Sequence, residues 1–435
     1  MKNILKPVVV SLLAFFARLV VRRYNPRIVM ITGSVGKTST KDAVAAALQA
    51  RFFVRKSEKS FNSEFGVPFT ILGVENPWDN PFAWFSLLKR TFALLLLPNH
   101  YPNMLVLEVG ADKPGDLAGI LRITTPDAVV VTRLPEIPVH VEAYASPEAV
   151  REEEFSPAYA LPAAAPLIVP ADDAYALDSA RRTAARTLSY GVAEGATVRL
   201  SGIGFYEHEG KVAGMRANVL VNGESRELIV RGSAGATQLF PSAAALAAAL
   251  AFDIPIPKAL AALDAYEPPP GRGRLFAGKE GSVIIDDSYN SSPVAVEEAL
   301  ATLKTFSLPA GRQGMHPPAG GRRIAILGDM LELGRYSVTE HRRIASLAGE
   351  SADVIVTIGI RARAFATMPG NAKVLLFDNS QKAAAALPDL VREGDVVLVK
   401  GSQSIRTERI VEALLADPAD ASKLVRQEKK WKQKV

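Results

Sequence analysis

Thr32-Gly33-Ser34-Val35-Gly36-Lys37-Thr38-Ser39-Thr40 follows the apolar run Arg27–Thr32 (RIVMIT) and opens an alanine-rich helical pattern. A glycine loop between a buried strand and a helix aims backbone N–H groups and the helix N-terminus at phosphates. Lys37 adds a point charge there, and the Thr38 hydroxyl can reach magnesium. The strict phosphate-loop pattern has glycine where Ile31 stands, so this is the shorter TGxxGKT form. An ordinary strand–helix turn has no need of the Lys-Thr pair. Gly33, Ser34, Val35, Gly36, Lys37, Thr38 and Ser39 are therefore the candidate phosphate-binding residues, with Thr38 also a candidate metal ligand.

A second constellation joins carboxylates to an imidazole. Glu108 closes the run Met104–Glu108 (MLVLE) and precedes Gly110; His140 and Glu142 follow a strand–loop stretch. Glu152, Glu153 and Glu154 are consecutive on the next helical segment. A carboxylate at a strand's C-terminal edge, beside a phosphate loop, suits magnesium. By pattern alone, a glutamate run reads as a solvated helix face and a lone histidine as structural.

Strands alternating with helices must position these groups. Besides Arg27–Thr32 and Met104–Glu108, Ala128–Thr132 is a short apolar strand, and a helix is expected through Lys41–Ala50. Such alternation argues for a mostly parallel α/β sheet. Ala196–Arg231 differs: it alternates and carries the turn signals Glu209-Gly210 and Asn222-Gly223, which predict a small antiparallel excursion. Ser242–Ala251 is alanine-rich and helical, and Glu267-Pro-Pro-Pro-Gly271 is a linker, because consecutive prolines continue neither helix nor sheet. Beyond it, Val283–Ile285, Arg323–Leu327, Val354–Ile358, Val374–Phe377 and Val396–Val399 predict a second α/β domain. The expected architecture is an apolar, basic N-terminal helix (1–25), a central phosphate-loop ATPase domain (26–270) and a C-terminal Rossmann-like α/β domain (271–435). Residues 310–321 read as an inserted Pro/Gly-rich loop and 426–435 as a basic, frayed tail.

Composition narrows the class. The chain has 435 residues, 48% of them hydrophobic, which suits two or three domains. The absence of cysteine excludes disulfides, thiolate zinc sites, iron–sulfur clusters and a cysteine nucleophile. A net charge of +6 favours anionic partners, but no basic run interleaved with aromatics points to nucleic acid. The apolar stretch Pro7–Val21, flanked by Lys2, Lys6, Arg22 and Arg23, spans about 15 residues and contains Arg18, whereas a spanning helix takes about 20. Its apolar residues recur at helical spacing. It reads either as a helix packed on the next domain, as an amphipathic helix lying on the inner membrane face through residues 4–23, or as a short span.

The motifs together resemble the Mur ligase family, the ATP-dependent amide-forming enzymes of peptidoglycan synthesis. They are TGSVGKTST (32–40), FNSEFGVPFTIL (61–72), LEVGADKPGDL (107–117), HVEAYASPEAV (140–150), GRLF (273–276), DDSYNSSP (286–293), LGDMLELG (327–334) and VLVKGSQS (397–404). The DSYN and GDMLELG segments point to the dipeptide-adding branch. The resemblance implies a cytoplasmic enzyme that uses ATP and Mg2+ to turn a muramyl-peptide carboxylate into an acyl phosphate, which the amine of D-alanyl-D-alanine then attacks. It also implies that Lys37 holds the phosphates, that Thr38 and Glu108 bind the first magnesium and that His140 binds the second. By the same resemblance Asn290 lies by the adenine, Asp287 on the ribose and Arg274 toward ATP, so domain closure would complete the site.

The departures from the family pattern matter. The family carries a carbamylated lysine fourteen residues after the magnesium histidine; here Glu154 stands there and would supply the anion directly. Ser60 and Ser63 replace family asparagines, Thr237-Gln238-Leu239-Phe240-Pro241 replaces the H-N-x-x-N segment, and Gln403 replaces an arginine. Only residues 1–25 precede the ATPase strand, where the family has a uridine-nucleotide-binding domain. The expectation is then a donor gripped through its peptide, a partner protein supplying that grip, or a lipid-linked donor met at the membrane. Other readings are an amidating subunit working with a glutaminase, which usually carries a four-cysteine zinc insertion, folylpolyglutamate synthase, and an ATP-binding assembly factor without ligase activity.

Overall fold

A strand covered on both faces reads as an unbroken apolar run. Ile28–Ile31 is one, and in the computed structural model Arg27–Thr32 forms β1, buried from Ile28 onward. The structure describes residues 2–58, 61–77, 80–306, 321–367 and 372–432. Strand β1 follows α1 (Lys2–Tyr24) and leads through the glycine loop into α2 (Lys37–Leu48). The helix begins at Lys37 rather than Lys41, because Gly36 at φ 89° turns the chain directly into it, and it ends at Leu48 rather than Ala50.

β2 (Val54–Lys56), α3 (Gly66–Leu72), α4 (Pro81–Leu96), β3 (Met104–Glu108), α5 (Asp116–Leu121), β4 (Ala128–Val131) and α6 (Pro147–Tyr159) follow. Next come β5 (Pro166–Pro170), α7 (Ala174–Ala180) and β6 (Arg186–Gly191). These strands are parallel and lie in the order β2-β3-β1-β4-β5-β6. The order reverses about β1, the topological position at which open α/β sheets bind ligands. The register sets Glu108 beside Ile31 and Val131 beside Thr32, so the loops leaving β1, β3 and β4 share one sheet edge.

The antiparallel excursion is present as β7 (Val198–His208), β8 (Lys211–Val221) and β9 (Glu224–Arg231). Its two turns are Glu209-Gly210 and Asn222-Gly223, all four residues at positive φ, as tight hairpins require. α8 (Phe240–Ala251) and α9 (Ile256–Leu263) complete the segment before the proline linker.

The chain forms two units. The first is Met1–Ser201, Val219–Arg226 and Phe240–Tyr266; the second is Gly202–Asn218, Glu227–Leu239 and Glu267–Val435. In the first, Leu13, Phe16, Ala17 and Val20 of α1 join the core with Met30, Leu105 and Phe155. The reading of α1 as a packed helix therefore holds for one of its faces.

The second unit contains β10 (Arg274–Ala277), β11 (Val283–Asp287), α10 (Pro293–Thr305), β12 (Arg323–Gly328), α11 (Ser337–Ser351) and β13 (Val354–Ile358). It continues with β14 (Lys373–Phe377), α12 (Ser380–Ala386), β15 (Val396–Lys400), α13 (Glu408–Leu414) and α14 (Lys429–Lys432). Its sheet runs β10-β11-β15-β12-β13-β14, parallel except for β10 against β11. The inserted loop expected at 310–321 lies, apart from Gly321, outside the described residues. The expected frayed tail needs correcting at its start. Arg426 is buried, donates to Glu408 at 2.8 Å and to the Ser288 carbonyl at 3.2 Å, and reaches the Tyr289 carbonyl as well. Residues 433–435 lie outside the description.

Candidate active site

The phosphate loop owes its path to two glycines. Gly33 sits at φ 116°, and a Cβ there would run into Thr132; Gly36 at φ 89° is the residue from which α2 starts. Gly36 offers no side chain to cap α2, so the positive end of a twelve-residue helix opens directly on the loop. Three loop donors are already committed: Gly33 N–H to Glu154 Oε2 at 3.3 Å, and Ser34 N–H and Val35 N–H to the Arg133 carbonyl at 3.0 and 3.3 Å. The loop's anion-binding capacity therefore rests on the turn from Gly36 to Ser39.

Thr38 and Glu108 come together from α2 and β3, with Thr38 Oγ1 donating to Glu108 Oε1 at 3.2 Å. These are hard oxygen donors on one buried edge, the chemistry a magnesium ion selects. Lys41, one turn beyond Lys37, was not singled out from sequence. It is 2% exposed, its ammonium 3.8 Å from Glu108 Oε2 and 3.4 Å from Asp42 Oδ1. Its signal would have been its spacing, which puts it on the buried side of α2 instead of the polar one.

The three consecutive glutamates do three different jobs, since a helix turns about 100° per residue. Glu152 pairs with Arg182 and accepts from Tyr175 at 2.8 Å. Glu153 accepts from the N–H groups of Gly115 and Leu117, capping α5. Glu154 is buried under the phosphate loop. Its Oε2 lies 3.2 Å from Thr32 Oγ1 and 3.3 Å from Gly33 N, and its Oε1 lies 3.4 Å from Lys37 Nζ. Lys37 also donates to the Gly33 carbonyl. Burial, helped by the nearby Glu153 and Glu154 charges, holds the Tyr144 phenol well above its ordinary pKa, so it stays a neutral O–H at the edge of this acidic group.

His140 sits at φ 66°, its Nε2 3.6 Å from Asp112 Oδ1. Glu154 is engaged by the phosphate loop. Among the described residues no three acidic or imidazole side chains converge as a metal-holding group, so Thr38, Glu108, His140 and Glu154 do not form one ready-made set.

In the second unit the β11–β15 register sets Asp287 beside Lys400, and their side chains pair at 2.6 Å. Lys400 also donates to the Asn290 carbonyl at 3.1 Å, and the Gln403 backbone N–H donates to Asn290 Oδ1 at 3.4 Å. That last bond uses no side chain of residue 403. Arg274 lies 3.5 Å from Glu267, and Arg272 stacks its guanidinium over Tyr289 at 4.0 Å. Asp286 is wholly buried, its Oδ1 taken by Ser288 and its Oδ2 without a hydrogen-bond partner among the described residues. Burial pushes its carboxyl up to about 6. Thr237 lines an open cavity of about 1110 Å³ with Phe205, Tyr206, Arg216, Glu227 and Thr302.

A phosphate loop at a sheet's switch point, followed by a second, mostly parallel α/β unit, marks a nucleotide-using protein, and two family models name its class. The Mur ligase middle domain matches residues 31–249, and the Mur ligase glutamate ligase domain matches residues 271–403. The chain belongs to the Mur ligase family. Its relatives include the UDP-N-acetylmuramoyl-tripeptide–D-alanyl-D-alanine ligases of Synechocystis (27% identical, 91% of this chain and 76% of that one) and Bacillus subtilis (25%, 92% and 79%). Among solved structures, the MurF ligase of Thermotoga maritima in complex with ADP matches with a TM-score of 0.74 and 25% identity, over 93% of this chain and 83% of that one. MurF from Acinetobacter baumannii shares the fold, with a TM-score of 0.73 at 20% identity over 94% of this chain and 79% of that one.

Proposed function

We propose that the chain is an ATP-dependent, ADP-forming ligase of peptidoglycan precursor synthesis that joins D-alanyl-D-alanine to a muramyl tripeptide. The observation that carries this reading is the Gly36–Ser39 turn, with Lys37 and the Thr38–Glu108 oxygen pair on one edge. It is supported by relatives with that printed activity, which align over about nine-tenths of this chain.

The chemistry is transfer of the γ-phosphoryl group to a substrate carboxylate. A carboxylate oxygen forms the new O–P bond, the bond to the β-phosphate oxygen breaks, and ADP leaves. The amine of the dipeptide then attacks the activated carbonyl; inorganic phosphate leaves, and the amine proton passes to solvent. No protein nucleophile is needed, only charge neutralisation and alignment. Lys37 and the positive N-terminus of α2 would hold the phosphates. Thr38 and Glu108 fit a magnesium ion, which when bound offsets charge on the β- and γ-oxygens. A second ion at His140 and Glu154 requires Glu154 to release Gly33 and Lys37, so this reading keeps one ion. Arg274, Asp287 and Asn290, the last two tied to Lys400, are the second unit's candidates for nucleotide contacts. The reading sets the enzyme in the cytoplasm, beside ATP and nucleotide-linked donors.

The test is phosphate release from ATP and Mg2+ with UDP-muramyl-tripeptide and D-alanyl-D-alanine, followed by mass analysis of the product. Release that requires both substrates, with product heavier by the dipeptide less water, is the expected outcome. ATP binding with no release under these conditions would count against the reading.

A further inference from the structure

Helix α1 is apolar on two sides. Leu13, Phe16, Ala17 and Val20 enter the core, while Val8, Leu12 and Phe15, spaced four and three residues apart, face outward. Helix α4 repeats the arrangement. Leu87, Thr91 and Leu94 are buried, whereas Phe82, Phe85 and Leu96 are 84%, 72% and 73% exposed, as is Leu97 just past the helix end at 57%. The two helices pack on each other: Phe16 meets Phe92 edge-on at 5.9 Å, and Tyr24 Oη donates to the Leu94 carbonyl at 2.7 Å. Aromatic and aliphatic side chains this exposed on adjoining helices mark an interaction surface.

Its charge is one-sided. Arg22, Arg23, Lys89 and Arg90 are exposed, and neither helix contains an acidic residue. The first acidic residue of the chain is Asp42, and none occurs between Asp79 and Glu108. Among the described residues no helix is long and apolar enough to cross a membrane. Apolar side chains flanked by cations, on helices that do not combine the length and apolarity of a span, match the amphipathic elements that lie in a bilayer interface.

We propose that α1 and α4 together form a docking surface for an anionic lipid bilayer. The apolar stripe enters the headgroup–acyl boundary, and Arg22, Arg23, Lys89 and Arg90 meet acidic headgroups. The proposal stands on the geometry of the first unit and is independent of the ligase reading.

The full chain contains no cysteine, so Phe85→Cys carries a single environment-sensitive fluorophore, with the exposed Asp178→Cys on α7 as the control. Vesicles of phosphatidylcholine with and without phosphatidylglycerol are the probe, in flotation and in fluorescence. Flotation with anionic vesicles only, reversed by salt, is expected, with a blue shift at residue 85 and none at residue 178. Removing one cation at such a surface costs about fivefold in partition, so Arg22→Gln/Lys89→Gln/Arg90→Gln should weaken binding about a hundredfold without changing phosphate release. Failure to float with anionic vesicles at low salt overturns the proposal. So does a concentration-dependent dimer in sedimentation that Phe82→Ser/Phe85→Ser dissolves, since a second copy would then cover the surface.

Discussion

Removing the Glu154 carboxylate tests how the phosphate loop is held. At 3.4 Å from Lys37, the pair has a gross Coulomb attraction of about 5 kcal/mol at an effective dielectric constant of about 20. Desolvation offsets much of that. Truncation nevertheless leaves a mostly buried ammonium and the Gly33 N–H without this acceptor, and breaking a buried pair from one side costs about 3–5 kcal/mol. At about 1.4 kcal/mol per tenfold, the loop's native arrangement becomes rarer by at least a hundredfold in Glu154→Ala. Glu154→Gln keeps an acceptor for Gly33 N–H but loses the charge, so its effect is smaller, about tenfold. The assay is substrate-dependent phosphate release at saturating ATP, with a thermal melt in the same buffer to separate loop disorder from unfolding. Turnover of Glu154→Ala within twofold of the parent protein would refute the reasoning.

Two further perturbations follow from buried charge. Asp286 has its folded-state carboxyl raised to about 6 from an ordinary 3.8, so the folded form holds the extra proton between those values. Stability is therefore greatest below about pH 4 and falls as pH rises through 6, by about 3 kcal/mol for this group. Asp286→Asn should raise the melting temperature at pH 8 and leave it nearly unchanged at pH 4; an equal shift at both would sink the argument. Lys41→Met removes the cation between Glu108 and Asp42, and should lower stability by about 3 kcal/mol in denaturant titration while cutting turnover. A melt and turnover matching the parent's would show that Glu108 needs no cation at that position.

Much of the scaffold was legible because buried parallel strands are apolar from end to end. Arg27–Thr32, Met104–Glu108 and Val354–Ile358 coincide with β1, β3 and β13, and the two hairpin turns fall on the expected Gly pairs. The strand order was not legible, since pairing between distant segments leaves no local pattern. Nor was the division of labour among Glu152, Glu153 and Glu154. A glutamate run looks the same in sequence whether each residue meets solvent, a helix N-terminus or a loop. Lys41 was missed because a lysine among polar residues at a helix start reads as surface. Arg426 was missed because its partners, Glu408 and the Ser288 and Tyr289 carbonyls, lie far away in sequence.

Helix α6 touches three neighbours through successive residues: α7 through Glu152 and Tyr175, the start of α5 through Glu153, and the phosphate loop through Glu154. Sliding its sequence by one position would exchange all three partners at once. The helix is thus intolerant of insertion or deletion over its middle turns, although each substitution within them touches a single neighbour. It also makes the loop, α5 and α7 a cooperative unit. When α6 frays they lose their anchors together, and an anion gripped by the loop lends its binding energy to helices that it never meets.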